Sequence, residues 1–280
     1  MKKKLLCILA VLAALVMIAR EARTARMQSS FFFMDFPPCG SFDAILSAEG
    51  WIVKGVPLAE LESVRYTVRK NGGNNMKVLL LNGSPKANGN TAAALAEMVK
   101  IFEEEGIEAE VVQVGHLGIR GCIACGSCHK TGKCVFDDVV NEIADKFREA
   151  DGLVAASPVY YASANATLTA VLDRLFFSAH FDKRMKVGAS VAVARRGGCS
   201  ATFDQLNKYF TISGMPVASS QYWNSVHGGA PGEAVRDEEG MQTMRTLARN
   251  MAFLMKAVAL GKEKYGLPVR EKGIATNFIR

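Results

Sequence analysis

From Lys77 onward the hydrophobic positions alternate between two periods. Short apolar runs that suit buried parallel strands recur between segments whose apolar residues return every three or four positions. Lys77-VLLLN-Gly83 is the first such run. A helix follows, capped by Asn90 or Thr91, with Leu95, Met98, Val99 and Phe102 as its stripe and Gly106 as its end. Glu108 to Val114 reads as a second, more polar strand at an edge, Asp137 to Glu149 as a helix, and Gly152 to Ala156 as the third strand. Leu168, Val171, Leu172 and Leu175 stripe another helix, ahead of a fourth strand at Val187 to Ala194 and a helix at Thr202 to Ile212. Met215 to Ser219 is the expected fifth strand, and Asp237, Glu238 and Glu239 place negative charge at the start of a final helix reaching about Leu260.

Strict alternation of strands and helices predicts an α/β three-layer sandwich, a parallel sheet covered by helices on both faces. Five strands fit the flavodoxin-like order 2-1-3-4-5, in which ligands bind beyond the carboxyl ends of the strands. The unusual loops all fall at that edge: a Ser/Asn/Thr segment, a cysteine run, SPVYY, ARRGG and QYWN.

The pattern fails before Met76. Lys2 to Lys4 precede fifteen apolar residues, Leu5 to Ala19, too few to span the roughly 20-residue thickness of a bilayer and lacking a clear cleavage site. Residues 27–75 show no sustained period. The first 75 residues therefore read as an irregular extension with a signal-like or anchor-like segment at 5–19. Alternatively they are upstream sequence translated ahead of a native start at Met76. Residues 76–265 form the expected domain and 266–280 a tail.

Composition adds little to this: 280 residues with 49% hydrophobic content can bury a full core. The extension holds 10 of the 34 Lys+Arg and 6 of the 27 Asp+Glu, which leaves residues 76–280 at +3 of the overall +7. No basic patch points to nucleic acid, and Arg195, Arg196, Lys183, Arg184 and Lys186 read as solvated loop cations.

Four of the seven cysteines lie in CIACGSCHKTGKC: Cys122, Cys125, Cys128 and Cys134. A C-x2-C-x2-C run turns three thiolates toward one point, as iron-sulfur clusters require, and a fourth cysteine completes the set. Tetrahedral zinc and a metal-free group of redox thiols are the alternatives. Such grouping suits a reducing compartment, so the expected location is cytoplasmic, with a membrane tether only if residues 1–25 are retained. Gly83 to Thr91 is rich in hydroxyls and amides and opens a helix, which makes it a cradle for a single phosphate or else an ordinary capped turn.

GSPKANGNT, the cysteine run followed by Val135-Phe-Asp-Asp138, SPVYY at 157–161 and Leu172-Asp-Arg174 together resemble the flavodoxin-fold NAD(P)H-dependent FMN reductases. The cysteine spacing is similar to that of their iron-sulfur flavoprotein branch. The resemblance covers residues 76 to about 260. It implies that Ser84, Lys86, Asn90 and Thr91 hold the FMN phosphate, that Pro158, Val159 and Tyr160 line the isoalloxazine, and that Gly197 and Gly198 let backbone approach the ring. It also implies a [4Fe-4S] cluster on Cys122, Cys125, Cys128 and Cys134.

The function that follows is electron transfer from NAD(P)H through FMN to a small-molecule or protein acceptor, with or without the cluster, and few catalytic side chains. A non-enzymatic electron carrier and a thiol or zinc redox sensor are the alternatives. Tyr160 and Tyr161 have a plainer reading as packing under a loop, and Asp173 and Arg174 as a structural helix-end ion pair. No histidine has a claim to acid or base work, and Cys199, Cys7 and Cys39 read as bystanders. Trp223 would cover a flavin or a partner subunit. Short rim loops suggest a homodimer or homotetramer.

Overall fold

A computed structural model describes residues 43–47, 50–54, 76–276 and 278. Strands Asp43–Ser47 and Gly50–Lys54 form an antiparallel ladder with Asp43 opposite Lys54 and Ser47 opposite Gly50, a pairing the sequence reading did not mark. They belong to a unit separate from Gly73–Arg280. The 5–19 segment lies outside the described residues. No helix among the described residues is long and apolar enough to cross a membrane.

In the larger unit the order is β1 (Lys77–Asn82), α1 (Asn90–Glu104), β2 (Glu108–Gln113), α2 (Cys128–Thr131), α3 (Val139–Glu149) and β3 (Gly152–Tyr160). Then follow α4 (Ala166–Ser178), β4 (Val187–Ala194), α5 (Cys199–Ile212), β5 (Ser225–His227) and α6 (Glu238–Tyr265). The sheet runs β2-β1-β3-β4-β5 with parallel neighbours, and a two-residue strand, Ser163–Ala164, folds back antiparallel on the end of β3. This is the expected flavodoxin-like sandwich. One core layer joins Leu95, Met98 and Phe102 of α1 to Met244, Leu247 and Met251 of α6. The other joins Val140 and Phe147 of α3, Leu168 and Leu172 of α4, and Phe210 of α5.

The fifth strand is displaced from its expected place. At 215–219 the chain makes only a single bridge, Val217 beside Gly188. It then turns away and regains the sheet at Ser225–His227. The buried Asn224 side chain fills the gap by donating Nδ2 to the Ser190 carbonyl at 3.0 Å, an acceptor that a continuous strand would have served by backbone. β3 also runs on past Ala156 to Tyr160, and α5 starts at Cys199 rather than Thr202.

Candidate active site

The loop after β1 is shaped by side chains at the ends of neighbouring strands. Buried Asn82 accepts the Ser84 N–H through Oδ1 at 2.9 Å, Ser84 Oγ accepts the Lys86 N–H at 3.2 Å, and Gln113 Nε2 donates to the Ser84 carbonyl at 3.2 Å. Gly115, leaving β2, lies so close that a Cβ there would stand 2.1 Å from the Gly83 carbonyl oxygen. The loop carrying the cysteines thus starts in contact with the loop expected to hold phosphate. Ser84 and Thr91 are buried here, and Lys86 is exposed.

The cap of α1 differs from expectation. Gly89 takes the N-cap position, with no side-chain hydrogen bond among the described residues, so the first-turn N–H groups remain for a ligand. Asn90 does not cap. Its Nδ2 donates to the Ala230 carbonyl at 3.0 Å and its Oδ1 accepts the Ala234 N–H at 3.1 Å, which fastens the segment before α6 over the start of α1. Its side chain is therefore already engaged, and only its backbone N–H remains for the role the resemblance implied.

At the end of β3, Val159 pairs with Ala164 and Tyr160 with Ser163 around the two-residue turn Tyr161-Ala162. Both turn residues have positive φ, 52° and 59°, the backbone twist of a type I′ hairpin but without its usual Asn-Gly. Ser157 Oγ accepts the Asn165 N–H at 2.8 Å and Asn165 Oδ1 caps α4 by accepting the Thr167 N–H, which fixes the hairpin's base. Tyr161 is fully exposed and Tyr160 half exposed, so neither packs beneath the loop. Gly198, at φ +94°, sits where a Cβ would meet Val159 Cγ1 at 2.8 Å and the Ala162 Cα at 2.9 Å. A Cβ on Gly197 would meet no described atom within 4 Å. The structure therefore gathers Pro158, Val159, Tyr160, Gly197 and Gly198 into one corner.

Beside that corner is a group the sequence reading passed over. Cys199 Sγ lies 3.9 Å from His227 Nε2, and His227 Nδ1 lies 3.6 Å from Asp237 Oδ2, which also accepts the His227 N–H at 2.6 Å. Burial first, and the Asp237 charge second, push the Cys199 thiol up. An open cleft of about 710 Å³ adjoins it, lined by Arg195, His227, Glu233, Arg236 and Asp237. These residues come from the ends of β4 and β5 and the approach to α6; no short-range spacing links them. Trp223 is exposed, its ring 5.3 Å from that of Tyr222.

All four clustered cysteines line one small cavity of about 20 Å³, together with Phe136, Arg174 and Phe177. Left-handed backbone at Ala124, Gly126 and Gly132 turns the chain around it. Cys122 and Cys125 are exposed, Cys134 is half-buried and Cys128 is buried. As placed, no three His, Cys, Asp or Glu side chains among the described residues are grouped to hold one metal ion. Asn141 holds the end of the run, Oδ1 accepting the Cys134 N–H at 2.9 Å and Nδ2 donating to the Phe136 carbonyl at 3.0 Å.

Arg174 is not half of a helix-end pair with Asp173. Neighbours on a helix point about 100° apart, and Asp173 instead accepts the Tyr209 hydroxyl at 2.5 Å. The fully buried Arg174 fork reaches Asp138, NH1 to Oδ2 at 2.7 Å and NH2 to Oδ1 at 2.8 Å. Burial works to raise the Asp138 carboxyl, but the fork and the Val140 N–H outweigh it and hold the group below its ordinary range.

Residues 76–230 match the family model described as NADPH-dependent FMN reductase. An iron-sulfur flavoprotein of Methanocaldococcus jannaschii is 36% identical over 191 residues, 65% of this chain and 99% of that one. An iron-sulfur flavoprotein of Methanosarcina thermophila is 32% identical over 194 residues, 68% of this chain and all of that one. Among solved structures, RosB with a bound 8-demethyl-8-formylriboflavin-5'-phosphate intermediate aligns with a TM-score of 0.51 at 19% identity, over 73% of this chain and 94% of that one. An NAD(P)H:quinone oxidoreductase from Methanothermobacter marburgensis aligns with a TM-score of 0.50 at 17% identity, over 63% and 97%. Both share the fold.

Proposed function

The chain belongs to the NADPH-dependent FMN reductase family, in its iron-sulfur flavoprotein branch, and from that premise we propose a flavin-dependent oxidoreductase that draws electrons from NAD(P)H and passes them on through a [4Fe-4S] cluster. The observation that carries this reading is the contact between Gly115 and Gly83, which sets the root of the cysteine-bearing loop against the cradle after β1.

The residues present fit FMN. The first turn of α1 offers N–H groups with no capping side chain, and Gly89 keeps that entry clear. Ser84 Oγ, Thr91 and the backbone of Asn90 would hold the phosphate, with Lys86 free to swing toward it. Pro158, Val159 and Tyr160 would lie along the ring, and Gly197 would let backbone approach it. FMN supplies hydride acceptance from a nicotinamide and release of electrons singly or in pairs. The protein would orient it and shape access: the stapled segment 228–237 would close one side, and the open cleft offers the Arg195 and Arg236 cations, beside the Glu233 and Asp237 carboxylates, to a charged donor or acceptor.

Four thiols lining one cavity are the donor set a cluster takes, although as placed no three of them are grouped on one metal, and one of them already faces a cation. Cys122, Cys125, Cys128 and Cys134 would be its ligands. A cluster of this kind suits the cytoplasm, and the exposed Tyr161, Tyr222 and Trp223 around the rim support completion of the site in a homodimer or homotetramer.

Anaerobic purification with counts of flavin, iron and sulfide, followed by NAD(P)H oxidation with a dye acceptor, tests the reading. One flavin and one [4Fe-4S] cluster per chain with steady turnover is the expected result. Bound zinc without iron overturns the cluster. Flavin-loaded protein that never turns over is an electron carrier instead.

A further inference from the structure

We infer that Arg174 is the positioning residue of the cysteine loop: its guanidinium fixes the Cys134 sulfur and raises the reduction potential of the cluster, while Asp138 moderates that effect. This rests on the cluster proposed above.

The guanidinium is closed off from solvent, so each N–H needs an acceptor. NH1 reaches Asp138 Oδ2 and, at 3.2 Å, the Arg120 carbonyl; NH2 reaches Asp138 Oδ1. The Phe136 ring lies 5.0 Å beneath the charge. The Nε–H, on the other side of the fork, points at Cys134 Sγ from 3.2 Å. A neutral thiol is a weak acceptor, and a buried donor of a permanently charged group is poorly satisfied by one. A thiolate ligand is a strong acceptor, so the contact makes chemical sense with the sulfur anionic and metal-bound.

Arg174 also ties the loop shut. Arg120 precedes the first cysteine, Cys134 is the last, and Asp138 caps α3 by accepting the Val140 N–H at 3.1 Å. One side chain from α4 therefore gathers both ends of the cysteine run. The Gly115 N–H, donating to the Asn82 carbonyl at 3.2 Å, sets where the loop starts, and Arg174 sets where it returns. Because reduction adds negative charge to the cluster and its sulfurs, a donor and a buried cation beside one sulfur favour the reduced form. The Asp138 carboxylate opposes the cation.

The two partners should therefore act with opposite sign. Midpoint potentials would be measured by EPR-monitored titration of the holoprotein, alongside flavin, iron and sulfide counts, for wild type, Arg174→Met, Arg174→Lys and Asp138→Asn. Asp138→Asn keeps an N-cap while removing the charge. Arg174→Met should lower the reduced-to-oxidised ratio at a fixed potential by about tenfold, a shift of about 59 mV to more negative values for one electron. Asp138→Asn should shift it the other way, Arg174→Lys should fall between Met and wild type, and flavin content should stay constant. Should Arg174→Met lose its cluster, the Arg174→Lys and Asp138→Asn shifts decide. Unmoved potentials, or shifts of the same sign in both partners, overturn the inference while leaving the cluster in place. A wild type without iron and sulfide overturns the cluster itself, and the inference with it.

Discussion

Asn90, the first residue of α1, and Ala234, 144 residues later, are joined by a hydrogen bond from the Ala234 N–H to Asn90 Oδ1 at 3.1 Å, and Asn90 Nδ2 donates to the Ala230 carbonyl. A residue that reads as a helix cap gives its side chain to a staple between the first and last parts of the domain, and keeps its backbone N–H for the proposed phosphate. Asn90→Ala should cost about 1–2 kcal/mol, two modest hydrogen bonds, read as a lower urea midpoint. Asn90→Asp keeps the acceptor but puts negative charge where the phosphate would lie. It should weaken FMN binding at least about tenfold, or about 1.4 kcal/mol, as measured by flavin fluorescence titration. Unchanged affinity in Asn90→Asp would remove the phosphate from this helix end.

Gly115 and Gly118 offer a paired test of the loop contact. A Cβ at 115 would overlap the Gly83 and Ser84 backbone, whereas at 118 it would meet no described atom within 4 Å. Gly115→Ala should destabilise by about 3 kcal/mol, as overpacking against backbone does, and should lose flavin. Gly118→Ala should match wild type in both thermal midpoint and flavin content.

The turn Tyr161-Ala162 holds two non-glycine residues in left-handed backbone. Ala162→Gly should relieve about 0.5–1 kcal/mol of that strain after its own entropic cost, seen as a higher thermal midpoint. Tyr161→Asn should stabilise similarly while removing the exposed ring. If the ring contacts the nicotinamide or a partner subunit, KM or oligomeric state will change although the fold is firmer.

Asp182 provides a pH signature of stability. The Arg184 guanidinium, helped by the Arg184 N–H, holds its carboxyl down from 3.8 to about 2. The ionised group therefore favours the fold above its ordinary unfolded pKa, and the contribution fades as pH falls through about 2. The pair is partly exposed, so the term is about 1 kcal/mol or less after screening. The stability difference between wild type and Asp182→Asn should be present at pH 5 and vanish near pH 2; comparing the two proteins cancels any acid loss of cofactor common to both.

Much of this molecule is legible from its chain because the signals are local. Alternating apolar runs and amphipathic stripes fix four of the five strands, the sheet order and both helical layers, and the spacing of Cys122, Cys125, Cys128 and Cys134 brings them around one cavity. The flavodoxin-like edge follows from chain direction alone. Partner choice was decided only by tertiary structure. Arg174 reaches 36 residues back to Asp138 rather than to its neighbour, Asn90 reaches forward 140 residues to Ala230, and Cys199 meets His227, which in turn meets Asp237, across three elements. The fifth strand moved for the same reason, since the Asn224 amide serves a β4 carbonyl that periodicity assigned to backbone. Periodicity records which face a residue presents to the core. It carries no record of which distant donor will be buried against which acceptor, because that pairing is set by how elements pack once the core has closed.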